Sequence, residues 1–250
     1  MTIERKVGMG IAGQPSGATD VAEVFSTYIY TGTGSSGQNI VNGIDLDTEG
    51  GMVWCKSRGT GDSHCIYDTE RGAGKVIFPA GTGVQLTNTG TKLDFNTNGF
   101  FTGGSYGGSE NDTGQDIVSW TFRKKEKFFD IVTYTGNGSA GRTVAHGLGA
   151  TPAMMFVKKT SAGDAWAVWH KNANGGDGLL VLNATTAVNT AGKYWWGNNT
   201  TYIAPTSTEF TVATDGQVNA NGESYVAYLF ADNSSEDAED QMIKCGSYTG

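Results

Sequence analysis

An all-β fold, two tandem β-sandwich units of jelly-roll-like type behind an extended amino-terminal arm, is what this sequence predicts, and three observations predict it. Glycine makes up 38 of the 250 residues against only 4 prolines, about twice the usual ~7% share of glycine, which argues against a mostly helical chain. Apolar residues recur at period two, as in Asp116-Val118-Trp120-Phe122 and Ser224-Val226-Tyr228-Phe230, with Ser119 and Thr121 on the alternate face of the first run. That alternation is the mark of a strand with one core face. The third observation is an internal repeat.

The repeat fixes the organisation. Tyr30-Thr31-Gly32-Thr33-Gly34-Ser35-Ser36-Gly37 returns as Tyr134-Thr135-Gly136-Asn137-Gly138-Ser139-Ala140-Gly141, an offset of 104. Met52 to Lys56 falls on Met154 to Lys158 at an offset of 102, and Gly114 to Phe122 on Gly222 to Phe230 at 108. Taken in order, residues 1–25 cannot form a core alone and read as an extended arm that orders against a partner. Unit one spans 26–122, the basic joint Arg123 to Lys127 serves as a linker (123–127), unit two spans 128–231, and 232–240 is an acidic linker. Residues 241–250 open a third copy, with Met242 to Gly250 restating the start of unit two. Stopping inside that motif, the sequence is expected to be the amino-terminal part of a longer chain. Gly/Asn/Asp/Ser clusters such as 103–108 and 172–177 separate the strands as turns. The Trp-rich second unit, with Trp166, Trp169, Trp195 and Trp196, is expected to be the better packed.

Charge narrows the partners. A net charge of −8 and a pI of about 4.8 oppose binding to a phosphate backbone, which needs clustered Lys and Arg, so nucleic acid is not a partner class here. No run reaches the ~18 apolar residues of a membrane span, and the first residues carry no signal-peptide pattern. Cysteines 55, 65 and 245 are too few and too scattered for a disulfide framework or a four-ligand zinc site. They read as reduced thiols. A hairpin centred on Thr60 would place Cys55 directly opposite Cys65, where a bond is geometrically possible.

Several motifs invite chemistry and lose it in context. Gly32-x-Gly34-x-x-Gly37 and its copy at 136–141 match a dinucleotide fingerprint, yet Gln38 to Val41 reads as a strand where that site needs a helix. Asp45-x-Asp47-x-Glu49-Gly50 looks like half of a calcium loop, but Lys56 stands where the bidentate Glu belongs. Asp45, Asp47 and Glu49 are therefore a weak calcium candidate and otherwise a solvated turn. The three histidines, His64, His146 and His170, align with no shared catalytic type across the units, and no nucleophile elbow is present. Asp68 with Glu70 is a carboxylate pair of unknown separation. Trp54 and Phe156 occupy aligned apolar positions and belong to cores. Trp195 and Trp196, read as strand neighbours pointing to opposite faces, are the candidates for a ligand or subunit contact. No catalytic residue and no cofactor is assigned.

The runs Val24 to Gly32, Asn42 to Leu46, Gly50 to Trp54, Tyr67 to Gly72, Val118 to Lys124 and Phe128 to Gly138 resemble a repeated β domain of marine, cyanophage-like phage structural and tail-fibre proteins. The resemblance covers about residues 20–250. It implies a non-enzymatic virion component, the virion-proximal part of a tail fibre, made in the host cytoplasm and resident in the virion tail. Tail fibres imply a homotrimer. The arm would dock on other tail proteins of adaptor or nozzle type, with Ile3, Val7, Met9 and Ile11 as its contact residues, and would support distal regions that recognise the host. The alternatives are a carbohydrate-binding adhesin module that reads a host-surface glycan and a capsid-decorating head fibre.

Overall fold

A computed structural model describes residues 20–87, 93–104, 110–234 and 241–248. The fold is all-β, with regular strands built from the β-branched and aromatic runs. In unit one the strands are β1 (Phe25–Thr31), β2 (Gln38–Val41), β3 (Gly51–Ser57), β4 (Cys65–Asp68), β5 (Lys75–Val76), β6 (Leu86–Thr87), β7 (Asp94–Asn96), β8 (Gly99–Thr102) and β9 (Asp116–Arg123). Unit two contributes β10 (Phe129–Thr135), β11 (Arg142–Ala145), β12 (Met154–Lys159), β13 (Ala167–His170), β14 (Leu180–Val181), β15 (Glu209–Val212) and β16 (Ser224–Phe230). Two one-turn helices, α1 (Val21–Val24) and α2 (Gly216–Asn219), begin at Asp20 and Asp215, whose carboxylates accept from the backbone two residues on.

The two units share one antiparallel topology. The larger sheets run β1-β9-β3-β4 and β10-β16-β12-β13-β14, and the smaller ones β2-β8-β7 and β11-β15. First strand pairs with last and second with penultimate, so each unit is rolled up like a folded hairpin. Cys55 stands opposite Cys65 in the β3–β4 register, and both are buried free thiols.

Buried asparagines lock the glycine loops. Asn111 Oδ1 accepts from Thr33 N at 3.0 Å and its Nδ2 donates to Gly34 O at 2.6 Å. Asn219 repeats this on Asn137 N at 2.9 Å and Ser139 O at 2.9 Å. Gly32 and Gly136 make the close approach possible, since a Cβ on either would lie 2.1 Å from a carbonyl oxygen, of Asp112 or Ala220.

The central strands β3, β12 and β16 of the large sheets are buried on both faces, and this departs from the sequence reading. In β9 the interior of the sandwich receives Ile117, Ser119 and Thr121, all buried, whereas Trp120 and Phe122 face unit two. The run with the clearer apolar alternation therefore marks the junction between units, while two hydroxyls lie inside unit one. Asn42 Nδ2 donates to Thr121 Oγ1 at 2.9 Å, which satisfies that interior oxygen.

The junction is a third hydrophobic core. Met52 and Ile66 from unit one meet Phe129, Ile131, Phe156, Trp166, Val226, Tyr228 and Phe230 from unit two. Phe122 lies 5.4 Å from Phe129 and 5.6 Å from Phe230, centroid to centroid. Each such side chain contributes about 1.5–3 kcal/mol on burial. The polar part is equally specific: Tyr228 Oη donates to Asp68 Oδ2 at 2.5 Å, Arg71 Nε to the same oxygen at 2.5 Å, and Trp166 Nε1 to Phe78 O at 3.1 Å. The two units thus pack their large sheets against each other.

The segments read as linkers follow suit. Arg123 ends β9, Lys125 and Phe129 exchange backbone bonds of 3.0 and 3.1 Å, and Lys127 N donates to Leu148 O at 2.7 Å. The basic joint is thus a clamped turn. Of 232–240, only 232–234 are described; the described residues of the third copy, 241–248, form no strand. They return to the end of β16, where Asn233 Oδ1 accepts from Met242 N at 3.0 Å and Ile243 N at 2.9 Å.

Candidate functional site

A groove runs along the seam between the units. One hollow of about 620 Å³ is lined by Glu49, Glu70, Lys124 to Glu126, Phe129 to Val132 and Ala145 to Gly147. A second of about 440 Å³ continues it along Glu70, Arg71, Lys75, Gln85, Thr133 to Thr135, Thr160, Ser161, Ser224 and Tyr225. Both volumes fall in the range of ligand sites. Unit one supplies one wall through the turn before β3, at Glu49, and the turn after β4, at Glu70 and Arg71; β10 supplies the other.

The walls are polar and internally neutralised. Lys124 Nζ lies 2.6 Å from Glu70 Oε1 and 3.3 Å from Asp130 Oδ1, and Asp130 Oδ2 accepts from Gly147 N at 2.7 Å. Burial would lower the Lys124 ammonium, but the bonded Glu70 and the nearby Asp130 carboxylates more than offset it and hold it above its ordinary value. At the floor, Arg71 is buried and donates to Asp68, to Ile66 O at 3.0 Å and to Gln85 Oε1 at 3.2 Å. Burial pushes the Tyr225 phenol up to about 12, and it donates to Gly216 O at 2.7 Å. These groups present fixed donors, acceptors and paired charges, an arrangement suited to holding a polar chain.

The sequence candidates fall elsewhere. Asp45 accepts from Thr48 N at 3.0 Å and from Thr48 Oγ1, bonds that lower its carboxyl below the ordinary value. Asp47 and Glu49 are exposed, and among the described residues no three His, Cys, Asp or Glu side chains gather as a metal set. Asp68 and Glu70 are divided by the fold: Asp68 is buried against Arg71 and Tyr228, while Glu70 joins Lys124 at the seam.

Trp195 and Trp196 do not lie on a strand. They follow a 3-10 turn at Gly192–Tyr194, where Trp196 N bonds Gly192 O at 2.6 Å. Trp196 is 1% exposed, and half-buried Trp195 donates Nε1 to Gln217 Oε1 at 2.7 Å. Trp196 therefore presents no ring face to solvent, while Trp195 stays partly exposed with its N–H engaged. Trp54 is half-buried at the junction with its Nε1 on His64 Nδ1 at 3.0 Å, and Phe156 is buried there too. Ile3, Val7, Met9 and Ile11 lie outside the described residues.

The histidines share a structural role that sequence alone did not suggest. His64, His146 and His170 each accept at Nδ1, from Trp54 Nε1, Leu148 N at 3.3 Å and Asn172 N at 3.1 Å. An acceptor Nδ1 puts the proton of the neutral ring on Nε2, and burial lowers all three below the ordinary histidine value. A buried set also escaped notice: Glu110 accepts from Tyr67 Oη at 2.7 Å and from Cys65 Sγ at 3.6 Å, and Tyr30 Oη donates to its carbonyl at 2.6 Å. Burial raises the Tyr67, Tyr30 and Cys65 groups well above their ordinary values, so these two phenols and the thiol stay protonated inside unit one.

Compared with known proteins, residues 20–250 match a family described as a domain of unknown function, DUF7483. No curated protein and no solved structure matches the chain.

Proposed function

The chain belongs to the DUF7483 family, and on that premise we propose that it is a non-enzymatic structural component of a virion, the virion-proximal part of a phage tail fibre that anchors through its amino-terminal arm. One observation carries the reading: two copies of a repeat are welded by a common core into one rigid block, with Phe122, Phe129 and Phe230 in mutual contact. Such a block transmits position from an anchored end to whatever follows it. Its groove is built from paired charges and hydroxyls that suit attachment. Support for a glycan reader weakens with Trp196 buried and Trp195 tied to Gln217.

Cryo-electron microscopy of particles carrying the full-length protein tests the proposal. Three-fold sets on a tail, with the arms at the tail surface, are the expected result. Density confined to the capsid would overturn it and favour a decorating head fibre.

A further inference from the structure

On the face that each large sheet turns to the junction, the two units can be compared residue by residue. Across β1, β9 and β3 the paired rows on that face are Phe25-Phe122-Met52, then Thr27-Trp120-Trp54, then Ile29-Val118-Lys56. The same rows across β10, β16 and β12 are Phe129-Phe230-Met154, Ile131-Tyr228-Phe156 and Thr133-Val226-Lys158. The first rows of both units meet in the common core. The second and third rows differ in how far they are covered. In unit two they are closed over by unit one: Tyr228 donates to Asp68, Lys158 Nζ reaches Thr82 O at 3.5 Å, and Ile131, Tyr228, Val226 and Lys158 are all buried.

In unit one the cover is partial. Leu182 of unit two approaches one end, where it lines a hollow of about 230 Å³ with Trp54 and His64. Toward the other end Trp120 and Val118 are half-buried and Ile29 is 55% exposed. The repeat places Thr133 at the position of Ile29, so the open end of unit one carries an apolar residue where its copy carries a polar one. No charge interrupts the patch among the described residues, because Lys56 turns its ammonium back onto Ser57 O and onto Thr60 O at 2.9 Å. Thr31 and Asp116, 3.3 Å apart through their side-chain oxygens, begin a polar rim in the next row. β1 is a seven-residue edge strand without charge or proline, the residues that ordinarily blunt a solitary edge.

An apolar centre with a polar rim has the anatomy of an interface. This one is continuous with the junction core, since Trp120 stands edge-on to Trp54 at 6.3 Å and Phe122, the next residue of β9 on that face, packs on Phe129. The molecule also shows what covers such a face: in unit two the covering body is another copy of the same repeat. We propose that Ile29, Val118 and Trp120 form a self-association surface of unit one that seats a second copy of this chain. The surface follows from burial and pairing; only the number of copies, three, rests on the fibre reading. A two-copy assembly through this patch would keep the surface and count against the trimer, whereas a capsid location would count against the tail and leave the surface standing.

Sedimentation velocity of the full chain, over a roughly hundredfold range of concentration, tests it. Wild type is expected to associate, and Ile29→Asp to weaken that association by about tenfold or more. Ile29→Thr introduces the residue that the second repeat carries at the aligned position, so it keeps the fold, which an unchanged thermal midpoint verifies, and should weaken association in the same direction. Val41→Asp alters a residue 58% exposed on the small sheet and should leave association as in wild type. A wild-type chain that stays monomeric throughout, association that survives both Ile29 variants, or an equal loss in Val41→Asp overturns the proposal.

Discussion

Asp68 illustrates how one side chain holds two repeats together. Its buried carboxylate accepts from Arg71 of its own unit and Tyr228 of the other. Replacing Arg71 by Ala leaves a buried charge without its counter-ion, a loss of about 3–5 kcal/mol. Tyr228→Phe removes one bond and keeps the ion pair, costing about 1–3 kcal/mol. Urea unfolding of both variants checks the order. The histidines make a pH prediction of definite sign. Their folded values are lowered by burial, so the neutral rings favour the fold above the unfolded value of ~6.5 and that contribution is lost as pH falls through the folded values. The thermal midpoint should drop as pH falls below the unfolded value of about 6.5, with a change in Trp54 emission that His64→Gln, which keeps an acceptor, removes.

The glycine loops belong to the scale of elements. Each connects the first strand of a unit to the second and is held by one buried asparagine rather than by a ligand. Asn219 donates to Ser139 O and to Ala213 O, the latter at 2.7 Å, so Asn219→Ala orphans several groups at once. A loss of about 1–3 kcal/mol is expected from the unsatisfied partners, with faster amide exchange across 136–141 as the specific readout. Asn219→Asp, which keeps the acceptor but not the bonds donated to Asn137 Oδ1, Ser139 O and Ala213 O, should recover only part of it. The spacing Asn-x-x-Gly, at Asn111 to Gly114 and Asn219 to Gly222, was the available signal in the sequence; nothing in a linear pattern says that an amide 80 residues away will close a loop.

At the scale of the whole molecule, a common core means common stability. The two units should unfold in a single calorimetric transition, because exposing one large sheet strips a face of the other. Phe122→Ala, which removes the ring between Phe128, Phe129 and Phe230, should cost about 3–5 kcal/mol and split or broaden that transition. Two separate transitions in the wild-type protein would show that the junction is weaker than its burial implies.

Much of the architecture is set locally and can be read from the chain. Strand positions, the repeat and the Cys55–Cys65 register depend on period-two alternation and turn residues, which act within a few positions. The assignment of faces does not. Trp120 and Phe122 look like the inside of a sandwich and form a junction, while Ser119 and Thr121 look solvated and are buried. Sequence alternation separates the two faces of a strand but does not say which neighbour covers each. The seam groove has the same origin, since its walls come from residues as distant as Glu49 and Ser224. The sequence by itself determined an all-β chain of repeated strands; only the packing of sheet on sheet decided that the repeats are one body, because burial is a property of surfaces that meet in space.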